Sequence, residues 1–169
     1  MGYTTEFKGK IEIAPALPAE LVKYINQFGD TRRMKRNSEL LKKKFNGEFG
    51  FNGGYGTDGE YFVGGGGFAG QAQDETIQEY NYPPSTQPGL WCQWVVSDDG
   101  NFIEWDGSEK FYESAEWMKY IINNFIKDGH VCNGKIEAQG EDPSDRWKLI
   151  VENNVVKKMS ASWVWEEEK

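Results

Sequence analysis

Polar and apolar positions alternate at the start of the chain. Phe7, Gly9, Ile11 and Ile13 are interleaved with Glu6, Lys8, Lys10 and Glu12, the period-two pattern of a half-buried strand, predicted over Tyr3 to Ile13. Pro15 and Pro18 end it. From Pro18 the spacing changes: Leu21, Val22, Ile25 and Phe28 share one helical face, with Gly29 read as the stop. Asn37 or Ser38 is placed to cap a second, short helix through Leu40, Leu41 and Phe45, closed by Gly47. Residues 46–70 mix glycine with Phe49, Phe51, Tyr55, Tyr61, Phe62 and Phe68, which predicts irregular loops and one short strand near Tyr61 to Val63. Pro83, Pro84 and Pro88 force extended or turning chain between Tyr80 and Gly89.

Further on, Trp91 to Val96 and Asn101 to Trp105 read as a hairpin around Ser97-Asp98-Asp99-Gly100. Phe111, Ala115, Met118, Ile122 and Phe125 recur at helical spacing up to Gly129. Three strands follow, His130 to Ala138, Arg146 to Glu152 and Val155 to Trp163, the last two joined by Asn153-Asn154, a pair that tolerates a type I′ turn. This order lacks the regular strand and helix alternation of a parallel sheet. It predicts an α+β fold in which two or three helices pack on one face of a mostly antiparallel sheet. The length of 169 residues fits a single domain over 1–169.

Charge changes this picture locally. The net charge of −8 opposes general attraction to nucleic acid or to an anionic membrane. Between Lys23 and Lys44, however, eight basic residues face only Asp30 and Glu39, so this window carries +6 and the remainder −14. No run approaches the roughly 18 apolar residues of a membrane span. The start Met1-Gly2-Tyr3-Thr4-Thr5-Glu6 has no secretory pattern, and Glu6 stands where a myristoylation signal would have Ser or Thr. Cys92 and Cys132 have no partner at metal-ligand spacing and read as free thiols, which together predicts a cytoplasmic protein.

Four groups of residues carry candidate chemistry. Arg32, Arg33 and Arg36 concentrate guanidinium forks suited to phosphate or carboxylate. The run Gly64, Gly65, Gly66, Gly67, followed closely by Gln71, allows close backbone approach to a phosphate or ring, although it lacks the Lys-Ser/Thr of a Walker loop. Trp91, Trp94 and Trp105 offer indole faces for stacking, and Trp91 and Trp94 would face opposite sides of a regular strand. Glu104, Asp106 and Glu109 would suit a carboxylate-based hydrolase or a magnesium site, but loop solvation and helix N-terminal charge account for most such residues. His130 is the only histidine, so a multi-histidine metal site is excluded by count.

Several stretches stand together as words: Thr31-Arg32-Arg33-Met34-Lys35-Arg36, Tyr61 to Gln71, Gly89-Leu90-Trp91-Cys92-Gln93-Trp94, Ile103-Glu104-Trp105-Asp106-Gly107, Glu109-Lys110-Phe111-Tyr112 and Asn133 to Asp142. In these the chain resembles a family of small uncharacterised proteins of bacteria and tailed phages; the loop from Asn46 to Gly59 departs from the family pattern. The resemblance implies an accessory protein of a phage, acting against host defence in the host cytoplasm. Glycine, arginine, glutamine and tryptophan suit binding a flat, anionic molecule better than breaking bonds. The leading expectation is a non-enzymatic protein that sequesters a small phosphorylated, nucleotide-like ligand and needs no cofactor or metal. The alternatives are an inhibitor of a host protein whose acidic surface imitates nucleic acid, and the hydrolase. Self-association is left open.

Overall fold

The computed structural model describes residues 3–45 and 49–169. Met1, Gly2 and the helix stop expected at Gly47 lie outside the described residues. Its main sheet has six antiparallel strands. These are β1 (Glu6–Ala14), β4 (Trp94–Val96), β5 (Phe102–Trp105), β6 (Val131–Gln139), β7 (Arg146–Glu152) and β8 (Val155–Ser160), in the order β4-β5-β1-β6-β7-β8. Two short strands between β1 and β4, β2 (Lys35–Arg36) and β3 (Ile77–Glu79), pair separately. The fold is therefore α+β with a mostly antiparallel sheet, as the order of elements predicts.

Alternation decides which side of the sheet is covered. Phe7, Ile11 and Ile13 of β1, Cys132, Ile136 and Ala138 of β6, and Leu149 and Val151 of β7 are buried on one face. Lys8, Lys10 and Glu12 point the other way and are exposed. Against the buried face lie α1 (Ala19–Asp30), through Val22, Ile25 and Phe28, and α3 (Ser114–Ile121), through Trp117, Met118 and Ile121. A third helix, α2 (Ser38–Phe45), covers a smaller apolar cluster of Leu41, Tyr55 and Phe62. Asn37 caps it, its Oδ1 accepting the Leu40 N–H at 3.1 Å. In the last hairpin Asn153 and Asn154 have φ of 47° and 70°, the left-handed pair of a type I′ turn.

Several boundaries differ from the sequence expectation, each for a local reason. Helix α1 runs through Gly29 to Asp30. A side chain at Gly29 would stand 3.1 Å from the Cys92 carbonyl, so this glycine serves close packing and not the helix stop. The helix expected from Phe111 begins at Ser114. Lys110 and Glu113 turn the backbone through positive φ, and Phe111 instead packs on Trp94 at 5.0 Å. Past Ile121 the helix widens into a π turn, Ile122–Ile126. Its buried pairs 117/118, 121/122 and 125/126 repeat every four residues. On an α-helix that repeat drifts by about 40° each time, and a wider turn takes up the drift. No strand forms at Tyr61 to Val63, because the Phe62 carbonyl accepts from Arg33 and the Val63 N–H donates to the Phe49 carbonyl. The run from Trp91 joins the ladder only at Trp94, opposite Trp105. Strand β8 stops at Ser160, since the Ala161 N–H makes the last bond to β7, at the Arg146 carbonyl.

Candidate functional site

The extended segment that leaves α1, residues 31–37, stitches three loops together. Its backbone N–H groups donate to Ala69 O (from Arg32, 3.0 Å), Leu90 O (from Arg33, 2.8 Å) and Tyr82 O (from Lys35, 2.9 Å). The Thr31 hydroxyl donates to the Gln27 carbonyl and accepts the Gly64 N–H at 3.0 Å, which fixes the glycine run to the end of α1. The basic stretch, the tetraglycine run and the Trp91 region thus meet around one piece of backbone.

The three arginines do different things there. Arg33 is 2% exposed and its guanidinium donates inward, to Glu60 O at 2.8 Å, Phe62 O at 2.7 Å, and more weakly to Phe28 O and Gln87 Oε1. Burial holds its pKa down, at about 10. Arg36, also 2% exposed, donates to Thr76 Oγ1 and Gly70 O over the face of Phe62. Both were expected beside a ligand phosphate. Both instead satisfy carbonyls of the loops they cross, because an irregular backbone has no ladder to do so. Arg32 alone stays half exposed. Its Nε and Nη2 donate to Tyr80 O and Asn81 Oδ1, and its guanidinium lies 4.9 Å from the Tyr80 ring centroid and 5.8 Å from that of Trp91. Two of five donors are engaged there, so three remain for a ligand.

The glycine run forms an exposed tip beside it. Gly64, Gly65 and Gly67 have φ of 88°, 94° and 72°, in the region that favours glycine, and a side chain at Gly70 would strike the Gly64 carbonyl. The loop closes on itself through Ala72 N to Gly66 O at 2.9 Å. The N–H groups of Gly65, Gly66 and Gly67 donate to no described residue. Phe68 at the tip is 85% exposed. Gln71 completes the connection, its Nε2 donating to Phe68 O and its Oε1 accepting the Tyr80 hydroxyl at 2.9 Å. Tyr80, Asn81 and Phe68 escaped the sequence reasoning; the signal available was an aromatic pair, Tyr80 and Tyr82, just before the proline-rich turn.

Of the indoles, Trp91 is the one brought to Arg32. Trp94 is fully buried, donates from Nε1 to Ser114 O at 2.8 Å and packs on Phe7 and Phe111. Trp105 sits opposite it across β4 and β5, half buried against Phe7. Of the carboxylates of the hydrolase alternative, Glu104 lies on the outer side of β5, Asp106 accepts the Ser108 N–H, and Glu109 is a solvent-exposed loop residue. Among the described residues no three of His, Cys, Asp and Glu gather as a metal site.

Comparison with protein-family models, with curated proteins and with solved structures finds no match.

Beneath it lies a buried polar network. Gln87 Nε2 donates to Glu60 O at 2.7 Å and to the Tyr120 hydroxyl at 3.1 Å, and that hydroxyl donates to Glu60 Oε1 at 2.6 Å. Burial raises the Tyr120 pKa well above the phenol range, so the hydroxyl stays a donor. Burial likewise pushes the Cys92 and Cys132 thiols up to about 12, which leaves neither as a thiolate at neutral pH.

At the outer edge, Asp74 accepts the Thr76 N–H at 2.7 Å and pairs with Lys44 at 2.7 Å. Burial disfavours its charge, but these partners outweigh it and hold the pKa at about 2. The folded pKa lies below the unfolded value, so the contribution is complete above about pH 4 and disappears as pH falls through the folded value. Urea midpoints of the wild type and Asp74→Asn are expected to differ at pH 6 and to converge between about pH 4 and 2.

Proposed function

We propose that the protein is a non-enzymatic binding protein that takes a small phosphorylated, nucleotide-like ligand at the surface formed by Arg32, Gln71, Tyr80, Trp91 and residues Gly64, Gly65, Gly66 and Gly67. One observation carries this reading: a half-exposed guanidinium shared between two aromatic rings is attached, through its own backbone amide, to the loop whose Gly65, Gly66 and Gly67 N–H groups donate to no described residue. Arginine offers a planar fork to phosphate, exposed amide N–H groups of a glycine loop donate to anionic oxygens, and Trp91 or Phe68 offers a face to a base. The fixed scaffold below, with Arg33 and Arg36 holding the loops, reduces the ordering cost of binding. In the cell this capture would withdraw a nucleotide signal of host defence, the role the sequence resemblance to proteins of bacteria and phages suggests.

Calorimetry against a panel of linear and cyclic nucleotides, with intrinsic tryptophan fluorescence as a second readout, tests it. Heat and quenching that vanish in Arg32→Ala and Trp91→Ala, with the fold retained, are the expected result. No heat with any member of the panel removes the reading.

A further inference from the structure

The two edges of the main sheet end differently. At β4 the Asn26 amide takes the place of a neighbouring strand, donating to the Val96 carbonyl at 3.0 Å and accepting the Val96 N–H at 2.9 Å. At β8 nothing does so. The Ala161 N–H bonds to Arg146 O, so by alternation Val155, Lys157, Met159 and Ala161 turn their backbone groups to β7, while Val156, Lys158 and Ser160 turn theirs to the open side. No described hydrogen bond reaches that side. Beyond Ala161 the chain continues as Ser162-Trp163-Val164-Trp165-Glu166-Glu167-Glu168, whose Trp-Val-Trp core favours a strand although none lies beside it. Trp163, Val164 and Trp165 are 82%, 77% and 98% exposed, so they do not pack on their own molecule. The tight turns that close hairpins use positive φ, and no residue after Asn154 has it.

We infer that residues 156–168 pair antiparallel with the same residues of a second copy, about a two-fold axis at Ser162, and so join the open edges of two sheets. The order of side chains is self-complementary about that point. Lys157 faces Glu167 of the second copy, Lys158 faces Glu166, Met159 faces Trp165, Ser160 faces Val164 and the small Ala161 faces Trp163. Each lysine meets a carboxylate, and each indole meets a thioether or a methyl group. The backbone agrees: the pairs that this register joins by hydrogen bonds, 156 with 168, 158 with 166, 160 with 164 and 162 with itself, are all even-numbered, the parity that faces the open side. In the single chain these charges form no described ion pair. Lys158 lies over the Trp147 ring at 4.3 Å, a contact that leaves its N–H groups available. Lysines on an edge ordinarily turn away an incoming strand. They admit one that brings carboxylates at matching steps, and this chain carries that strand itself. Because Asn26 closes the other edge, pairing stops at two copies. No residue of the proposed ligand site takes part.

Sedimentation velocity of the full chain, with disulfide trapping to read the register, tests this. The wild type is expected to be a dimer. Lys157→Glu/Lys158→Glu and Glu166→Lys/Glu167→Lys, each alone, are expected to be monomers, and an equimolar mixture of the two a heterodimer, since every opposed pair is then attractive. Opposed residues of a hydrogen-bonded pair have Cα atoms about 5.5 Å apart, within reach of a disulfide, and both native thiols are buried. With oxidised glutathione, Ser162→Cys is expected to form a covalent dimer by itself. Ser160→Cys alone is not, because its two copies stand roughly 14 Å apart along the strands, but it is expected to link to Val164→Cys in a mixture. A monomeric wild type overturns the inference. So does a dimer that survives both reversals, or one trapped as readily through Ser160→Cys as through Ser162→Cys.

Discussion

Arg33→Met should be the most destabilising single change at the candidate site, lowering the unfolding free energy by about 2–4 kcal/mol, since it strips charge-assisted hydrogen bonds from buried carbonyls and leaves one of them without a donor. The methionine fills a similar volume but donates nothing, so the Glu60 and Phe62 carbonyls lose the Arg33 donor that now serves them both. Glu60 O keeps Gln87 as a donor at 2.7 Å, whereas Phe62 O has no second donor among the described residues. The ring of Phe28 loses the guanidinium 3.9 Å above it. Chemical denaturation of the purified variant measures the change. A loss below about 1 kcal/mol would mean that Arg33 is dispensable and that the loops are held by packing alone. Arg32→Met, at a half-exposed position with two donors engaged, is expected to change stability by less than about 1 kcal/mol.

The contrast between these neighbours shows what the sequence discloses and where it stops. β1, β6 and β7 were legible because one face is buried and the other wet, so Ile11 and Lys10 must differ in kind, and β8, with no buried residue, through the Asn153-Asn154 turn that joins it to β7. α3 was legible because its apolar positions recur at near-helical spacing, although the four-residue repeat that produces the π turn is a finer signal than a helical face. Residues 31–37 have no such period. Arg33 and Met34 are both buried and Arg32 is not, which neither strand nor helix alternation would give. Composition alone puts three arginines at the surface, where arginine is usually found. Only the loops crossing the segment, with carbonyls that lack ladder partners, turn two of them inward. The pairing of β2 with β3 has the same origin: three residues around Ile77 carry no pattern, and their partner is fixed by the path of the chain.

The same distinction separates the two tryptophans. Trp94→Ala is expected to cost about 3–5 kcal/mol, as for other large aromatic side chains removed from a packed core. The indole is wholly buried among Phe7 and Phe111, and its loss also removes the Nε1 hydrogen bond to the Ser114 carbonyl at the start of α3. Trp91→Ala removes a half-buried ring whose described contact is with Arg32, and is expected to cost less than about 1.5 kcal/mol. Thermal melts read the stability difference, and nucleotide titrations below the melting range read binding. The informative outcome is a crossed one: Trp94→Ala weakly folded but still responsive to the ligand where folded, Trp91→Ala stable and unresponsive. If both variants lose binding in proportion to lost stability, Trp91 acts only as a support for its loop, and the stacking role belongs to Phe68 or Tyr80 instead.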